Sequence, residues 1–143
     1  MKYLFSIIFI ISFSYANNFV RSSSTQIVTD STAKVMWVDD ISVVKIKKTH
    51  DDAITYCEEL KFGGYSNWRI PRLEEFETIV DKKNQRNYIN KVFKFNVPDG
   101  YWALKAHWRT LWFYADYMHF VSGTGYYDSR HKIKYVRCIR NMK

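Results

Sequence analysis

The stretch Thr49-His-Asp-Asp-Ala-Ile-Thr-Tyr-Cys-Glu-Glu-Leu60 carries the clearest structural signal in this 143-residue sequence. Thr49 can cap a helix, and Asp52 three residues later completes a capping box. Ala53 and Cys57 lie one helical repeat apart, so they share an apolar face. The pattern predicts a helix that buries Cys57.

The segments around this helix predict an α+β domain. Gly63-Gly64 is expected to end the helix, and a second helix is expected to start after Pro71. Short segments rich in β-branched and aromatic residues predict strands, most of them in the second half of the chain. They are residues 26–30, 33–38, 101–104, 111–115, 117–121 and 135–139. Two early helices and a mostly C-terminal antiparallel sheet define the class.

The N-terminus is typical of an exported protein. Residues 1–16 combine Lys2, an apolar run and a small residue at Ala16, which predicts a cleaved signal peptide. An uncleaved anchor is the alternative, but the apolar run is shorter than the roughly 20 residues of a spanning helix. We expect residues 17–25 to be a loose polar leader and residues 26–143 to form one domain. The protein would then lie in the periplasm, on the cell surface or outside the cell, with no transmembrane segment after cleavage.

The chain has two cysteines, Cys57 and Cys138. In an exported protein two distant cysteines usually pair, and two free buried thiols are the alternative. A bridge that closes a loop of about 80 residues would stabilise the fold by about 4–5 kcal/mol in the chain-entropy model.

Charge is divided unevenly along the chain, whose formal net charge is +8. Residues 17–81 hold 8 Lys or Arg against 11 Asp or Glu, whereas residues 82–143 hold 13 against 3. This imbalance predicts a basic surface on the C-terminal half that attracts anions, and an evenly solvated surface is the alternative.

Six short motifs follow one another in a distinctive order: Met36-Trp37, Tyr56-Cys57, Gly63-Gly-Tyr-Ser-Asn-Trp-Arg-Ile-Pro71, Tyr101-Trp102, Trp112-Phe113 and Tyr135-Val-Arg-Cys-Ile-Arg140. Together they resemble the Lcl C-terminal domain family, bacterial domains catalogued without a known function. The resemblance covers about residues 25–140.

This resemblance implies a C-type-lectin-like fold, in which two helices pack on a small twisted antiparallel sheet. It also implies a disulfide from the first helix to the last strand, which places the bridge at Cys57 and Cys138. The namesake domain is implicated in adhesion through sulfated glycans. The sequence departs from the family pattern in two places: Arg72 replaces a capping Thr or Ser, and Ala103-Leu104 replaces a pair of serines.

Motifs for catalysis or metal binding are absent from the sequence. The calcium-site motifs of lectins do not occur, and the four histidines are widely separated, so we expect neither metal nor cofactor. No nucleophile motif is present, and adjacent carboxylates such as Glu74-Glu75 diverge around a helix. We therefore expect a protein that is not an enzyme. The four histidines are His50, His107, His119 and His131.

The aromatic residues fall into two predicted groups. Trp37, Trp68, Trp102 and Trp112 match the family pattern and are expected in the core. Trp108 lies within Lys105-Ala-His-Trp-Arg109, a predicted loop where an exposed indole is flanked by cations.

These features predict a site on the C-terminal half. The arginines can grip sulfate or phosphate bidentately, the lysines act as point charges, and the aromatic rings can stack on a sugar. The expected site is Lys105, His107, Trp108, Arg109, Tyr126, Tyr127, Arg130 and Lys132. The predicted function is calcium-independent binding of an anionic glycan or other envelope polymer. The alternative is a protein-interaction subunit of an envelope assembly. Export argues against nucleic acid as the physiological partner.

Overall fold

The computed structural model describes residues 17–143, so the predicted signal peptide lies outside the described residues. The described chain forms two α-helices, two short 3-10 helices and nine strands in two sheets. The predicted α+β class, with two helices, antiparallel sheets and one disulfide, is confirmed. None of the helices within residues 17–143 is long and apolar enough to cross a bilayer.

The first sheet has four antiparallel strands in the order β1-β2-β3-β9. They are β1 (Phe19–Ser22), β2 (Ile27–Asp30), β3 (Val35–Val38) and β9 (Ile139–Asn141). The expectation of a loose leader at residues 17–25 is wrong for β1. This strand pairs along its whole length with β2, and its Arg21 Nε donates to the buried Asp39 carboxylate at 2.5 Å.

The second sheet has five strands in the order β4-β8-β5-β6-β7. Its pairs are antiparallel except for the contact of β5 with β8. The strands are β4 (Lys47–Lys48), β5 (Gly100–Ala106), β6 (Tyr114–His119), β7 (Thr124–Ser129) and β8 (Lys134–Tyr135). The last predicted strand, residues 135–139, is therefore divided between two sheets, because the chain crosses from one to the other at residues 136–138.

Helix α1 (His50–Glu59) begins as predicted. The Thr49 hydroxyl oxygen accepts the Asp52 backbone N–H at 3.4 Å, and Ala53 and Cys57 are buried. Cys57 is bonded to Cys138, with their Cα atoms 5.5 Å apart, which confirms the predicted pairing. The helix ends before the two glycines, which instead form a tight turn with φ of +60° and +82° at Gly63 and Gly64.

Helix α2 (Leu73–Ile79) starts after Pro71, and Glu75 compensates for the unusual residue at its cap. The Arg72 side chain cannot accept a hydrogen bond, but its backbone N–H donates to the Glu75 carboxylate at 2.8 Å. Burial alone would raise the pKa of Glu75, but hydrogen bonds from Arg69 and Arg72 hold that pKa below its ordinary value. Leu73 packs on β7 where Gly125 leaves room, since a Cβ there would lie 2.5 Å from the leucine.

The space between the two sheets and the helices is filled by aromatic rings and one buried ion pair. Arg137 and Asp39 are both fully buried, with Arg137 Nη1 3.3 Å from the carboxylate. The Arg137 guanidinium also lies 5.0 Å from the Phe93 ring centroid and donates to the Val38 carbonyl at 2.8 Å. Large apolar side chains complete the core, among them Trp37, Trp68, Ile70, Phe76, Ile79, Ile89, Tyr101, Trp102, Met118, Phe120 and Ile139.

Candidate functional site

The end of β5 and the residues that follow it form a small open pocket. Lys105, His107, Trp108 and Arg109 line it, and its volume is about 330 Å³. Trp108 is 66% exposed, and the Arg109 guanidinium carbon lies 5.5 Å from its ring centroid. Four of the predicted site residues, all from one five-residue stretch, therefore line one pocket.

The pocket belongs to the aromatic loop, which we define as residues 107–113 between β5 and β6. Its backbone is tightly bonded: the Leu111 N–H donates to the Trp108 carbonyl at 3.0 Å, and the Trp112 N–H donates to the His107 carbonyl at 3.1 Å. Leu111 and Trp112 have φ of +51° and +63°. This is the left-handed region, which residues other than glycine and asparagine seldom adopt. Each such residue costs about 1–2 kcal/mol, so the surrounding contacts must hold this loop in shape.

The aromatic loop presents apolar side chains to solvent. Leu111 is 82% exposed, and Trp112 and Phe113 are each 56% exposed. The expectation that Trp112 belongs to the core is wrong, because the left-handed turn carries it outside the strand that the sequence predicts at residues 111–115. Trp37, Trp68 and Trp102 are buried, as predicted.

The side of the pocket is built by β6 and β7. A His107 ring nitrogen lies 2.6 Å from the Asp116 carboxylate, and the Tyr127 ring packs 5.6 Å from the His107 ring. Tyr127 therefore lies beside the pocket, against His107. Tyr126 lies on the opposite face of β7, where its ring centroid is 5.9 Å from that of Tyr117. Adjacent residues of a strand point to opposite faces, so the two tyrosines cannot serve one site.

Arg130 anchors the aromatic loop rather than offering a free guanidinium. It forms an ion pair with Asp51 at the start of α1, and its Nη1 donates to the Trp112 carbonyl at 3.1 Å. Its Nε donates to His50 Nδ1 at 3.2 Å. The predicted grip of Arg130 on a sulfate would have to compete with three existing partners.

His50 is a buried member of this anchor. Its Nε2 lies 2.8 Å from the Ala103 carbonyl, so Nε2 carries the proton and Nδ1 accepts from Arg130. Burial lowers the pKa of His50 below its ordinary value, and the nearby positive charge of Arg130 lowers it further. The neutral imidazole therefore completes the hydrogen bonds that hold the loop.

Lys132 lies with Tyr126 on the far side of β7. Its ammonium is 3.2 Å from the Asp128 carboxylate, which also accepts from Lys134 at 2.9 Å. The eight predicted residues therefore divide into three parts. The first part is the pocket, lined by Lys105, His107, Trp108 and Arg109 with Tyr127 beside it. Arg130 anchors the loop, and Tyr126 and Lys132 lie elsewhere.

The residues around the pocket do not form a metal centre. Within residues 17–143, no three His, Cys, Asp or Glu side chains lie together as a metal ion would require. Both cysteines are in the disulfide, so neither provides a thiolate.

Sequence reasoning missed Leu111, Phe113 and Asp116. The loop contains no Gly, Pro or Asn, the usual signals of a turn, and its apolar residues look like a strand. The pairing of Asp116 with His107 depends on strand register, which the sequence alone does not give. The sequence could have shown that Tyr126 and Tyr127 point to opposite faces of the sheet, because side chains alternate along a strand.

Two helices, two sheets and a disulfide from α1 to the segment just before β9 define a small disulfide-bonded α+β domain, whose exposed loop carries rings and cations. The pattern of the Lcl C-terminal domain matches residues 26–140, and the chain belongs to this family. No curated protein and no solved structure matches the chain.

Proposed function

We propose that this protein is an exported, non-catalytic module that binds an anionic glycan or another anionic envelope polymer. The binding site is the pocket of the aromatic loop. Export is proposed from the signal-like N-terminus, and the disulfide supports it because such bonds persist in oxidising compartments.

The observation that carries the proposal is an exposed indole between two cations that lack an acidic partner. Among residues 17–143, neither Lys105 nor Arg109 makes an ion pair, although both are exposed. Arg109 can hold a sulfate or phosphate with two parallel hydrogen bonds, and Lys105 adds a point charge. The Trp108 ring offers a flat surface on which a sugar ring can stack.

The acids that follow Gly100 in the chain, Asp116 and Asp128, support binding without calcium. Calcium requires several oxygen ligands, often carboxylates. Asp116 is bonded to His107, and Asp128 is bonded to Lys132 and Lys134. These are the only carboxylate side chains in residues 100–143, so neither is left free to collect a cation. The C-type-lectin-like architecture remains what the family resemblance implies.

The test measures binding to dextran sulfate and to neutral dextran at low and high salt. We expect binding to the sulfated polymer alone, with a steep loss in high salt because exposed charges are screened. Lys105→Ala with Arg109→Ala should abolish binding. Trp108→Ala should weaken binding by about 1–3 kcal/mol if a ring stacks on it, on the scale of base stacking.

The matched control is Lys82→Ala with Lys83→Ala, which removes the same charge from an exposed segment outside the pocket. It should bind the sulfated polymer nearly as the unmodified protein does. Equal losses in both double variants would reduce the proposal to net charge alone. A chelator should leave binding unchanged, and loss on chelation would contradict calcium independence.

The alternative function is an interaction subunit of an envelope assembly, with the aromatic loop buried against a partner protein. The exposure of Leu111 and Trp112 favours it. Salt separates the two functions, since an apolar interface largely survives high ionic strength.

A further inference from the structure

We propose that the tip of the aromatic loop, which we define as Leu111, Trp112 and Phe113, inserts into the surface of a lipid bilayer that contains anionic lipids. This inference goes beyond polymer binding and does not rest on it. The pocket lies at the base of the loop and is lined by other residues, whereas the tip contributes none of its lining.

The apolar side chains of the tip are all exposed to solvent. Leu111 is 82% exposed, more than any other large apolar side chain in residues 17–143. A second exposed side chain, Ile133 at 63%, lies on the neighbouring turn between β7 and β8. That turn touches the tip, because the His131 and Phe113 rings are 5.7 Å apart. Exposed large apolar side chains that lie close together mark an interaction site, and the tip places three of them in succession.

The backbone of the tip is suited to a medium without water. The five consecutive N–H groups from Thr110 to Tyr114 all donate to acceptors inside the loop. The Trp112 carbonyl accepts from Arg130. Unsatisfied backbone groups are what normally prevents a loop from entering a bilayer, and contacts within the loop and from Arg130 satisfy many of them here.

The charges beside the tip complement anionic headgroups. Lys105 and Arg109 are exposed just before the tip in the chain, and neither makes an ion pair among residues 17–143. The residues of the loop itself include no acid. Basic residues near a membrane surface are attracted to anionic lipids, and indoles favour the headgroup level. An anionic bilayer fits this pattern better than a protein surface, because cations that are unpaired in the described chain lie in the same segment as an apolar tip.

The test uses the protein as purified after export, with its N-terminus read by mass spectrometry and identical in every variant. Vesicles of phosphatidylcholine, and vesicles of equal parts phosphatidylcholine and phosphatidylglycerol, are the probes. We expect binding to the mixed vesicles, a blue shift of tryptophan fluorescence, and quenching by brominated acyl chains. Leu111→Asn with Trp112→Asn should lower partitioning at least about tenfold, and asparagine tolerates the left-handed backbone at both positions.

The matched control is Val121→Asn, which removes an exposed apolar side chain (50% exposed) beyond the other end of β6. It should partition as the unmodified protein does. Equal binding of the double tip variant and the unmodified protein would overturn the inference. So would failure of the unmodified protein to bind mixed vesicles. Binding to soluble dextran sulfate without vesicle binding would overturn the inference and leave the proposed function standing, and a protein partner would give the same negative vesicle result.

Discussion

Arg137 and Arg109 both come from the basic half of the chain and both lie beside aromatic rings, but they have opposite surroundings. Arg137 is fully buried, 5.0 Å from the Phe93 ring, and paired with Asp39. Arg109 is exposed, 5.5 Å from the Trp108 ring, and has no acidic partner within residues 17–143. The number of Lys and Arg residues in a segment therefore does not by itself give the positive charge on the protein surface. The nearby acid decides whether a cation stabilises the fold or remains available to a ligand.

The largest expected loss of stability comes from removing the disulfide, which lies in the same buried interior as Arg137. Cys57→Ala with Cys138→Ala should lower the free energy of unfolding by about 4–5 kcal/mol, because the bridge closes a loop of about 80 residues in the unfolded chain. Urea denaturation measures this loss. A difference below about 1 kcal/mol would show that the interior does not depend on the bridge.

The same substitution at the two arginines sharpens the comparison directly. Arg137→Met should lower stability by about 3 kcal/mol, since it leaves buried Asp39 with fewer partners. Arg109→Met should change stability by less than about 0.5 kcal/mol, as surface substitutions usually do. Thermal and urea unfolding of the two variants provide the measurement. Similar losses of stability in the two variants would show that the buried and the exposed arginine do not differ in their contribution to the fold.

Acidification should weaken the anchor of the aromatic loop. Burial holds the pKa of His50 below its ordinary value of 6.5, so the unfolded chain takes up a proton more readily than the folded one. The stability from neutral His50 is therefore fully present above that ordinary value and declines as the pH falls below it. Unfolding measured from about pH 7 to about pH 5 should show the decline.

Two variants identify the group responsible for this decline. His50→Gln should flatten the dependence of stability on pH, and exposed His131→Gln should leave the slope of the unmodified protein. An unchanged slope in His50→Gln would assign the effect to another group.

The smallest expected effect is a gain. Leu111→Asn should raise stability by about 0.5 kcal/mol, because asparagine adopts the left-handed backbone with less strain than leucine. The control is Leu104→Asn, another exposed leucine, which lies in β5 and should give no gain. A loss at Leu111 would mean that its side chain packs against the fold.

Local signals explain which parts of the fold the sequence predicts. The start of α1 was predictable because the capping residue Thr49 and its partner Asp52 are only three positions apart, and because Cys57 lies on the apolar face of the helix. The division of the last predicted strand was not, because it depends on Arg137 and Cys138 meeting partners from distant elements. Trp112 was misplaced for the same reason. Its conformation is held by Arg130, which comes from a different turn.

The candidate site shows the same limit. Lys105 through Arg109 were predicted because one short segment contains both the ring and the cations. The partners of Arg130, Asp51 and His50, lie on a helix about 80 positions earlier in the chain. The sequence does not show that they meet, so it makes Arg130 look free to bind a ligand. Charge and composition identify candidate ligand-binding residues, and the pairing of strands and turns in the fold decides which of these residues lie together.

The first and last strands, β1 and β9, form the two outer edges of the same four-stranded sheet. The aromatic loop belongs to the other sheet. A tether attached near residue 17 or near residue 143 would therefore pull on the sheet that does not carry the loop. Immobilised by either end, the protein can present its aromatic loop to a surface or a soluble polymer while the attachment strains a different layer of the molecule.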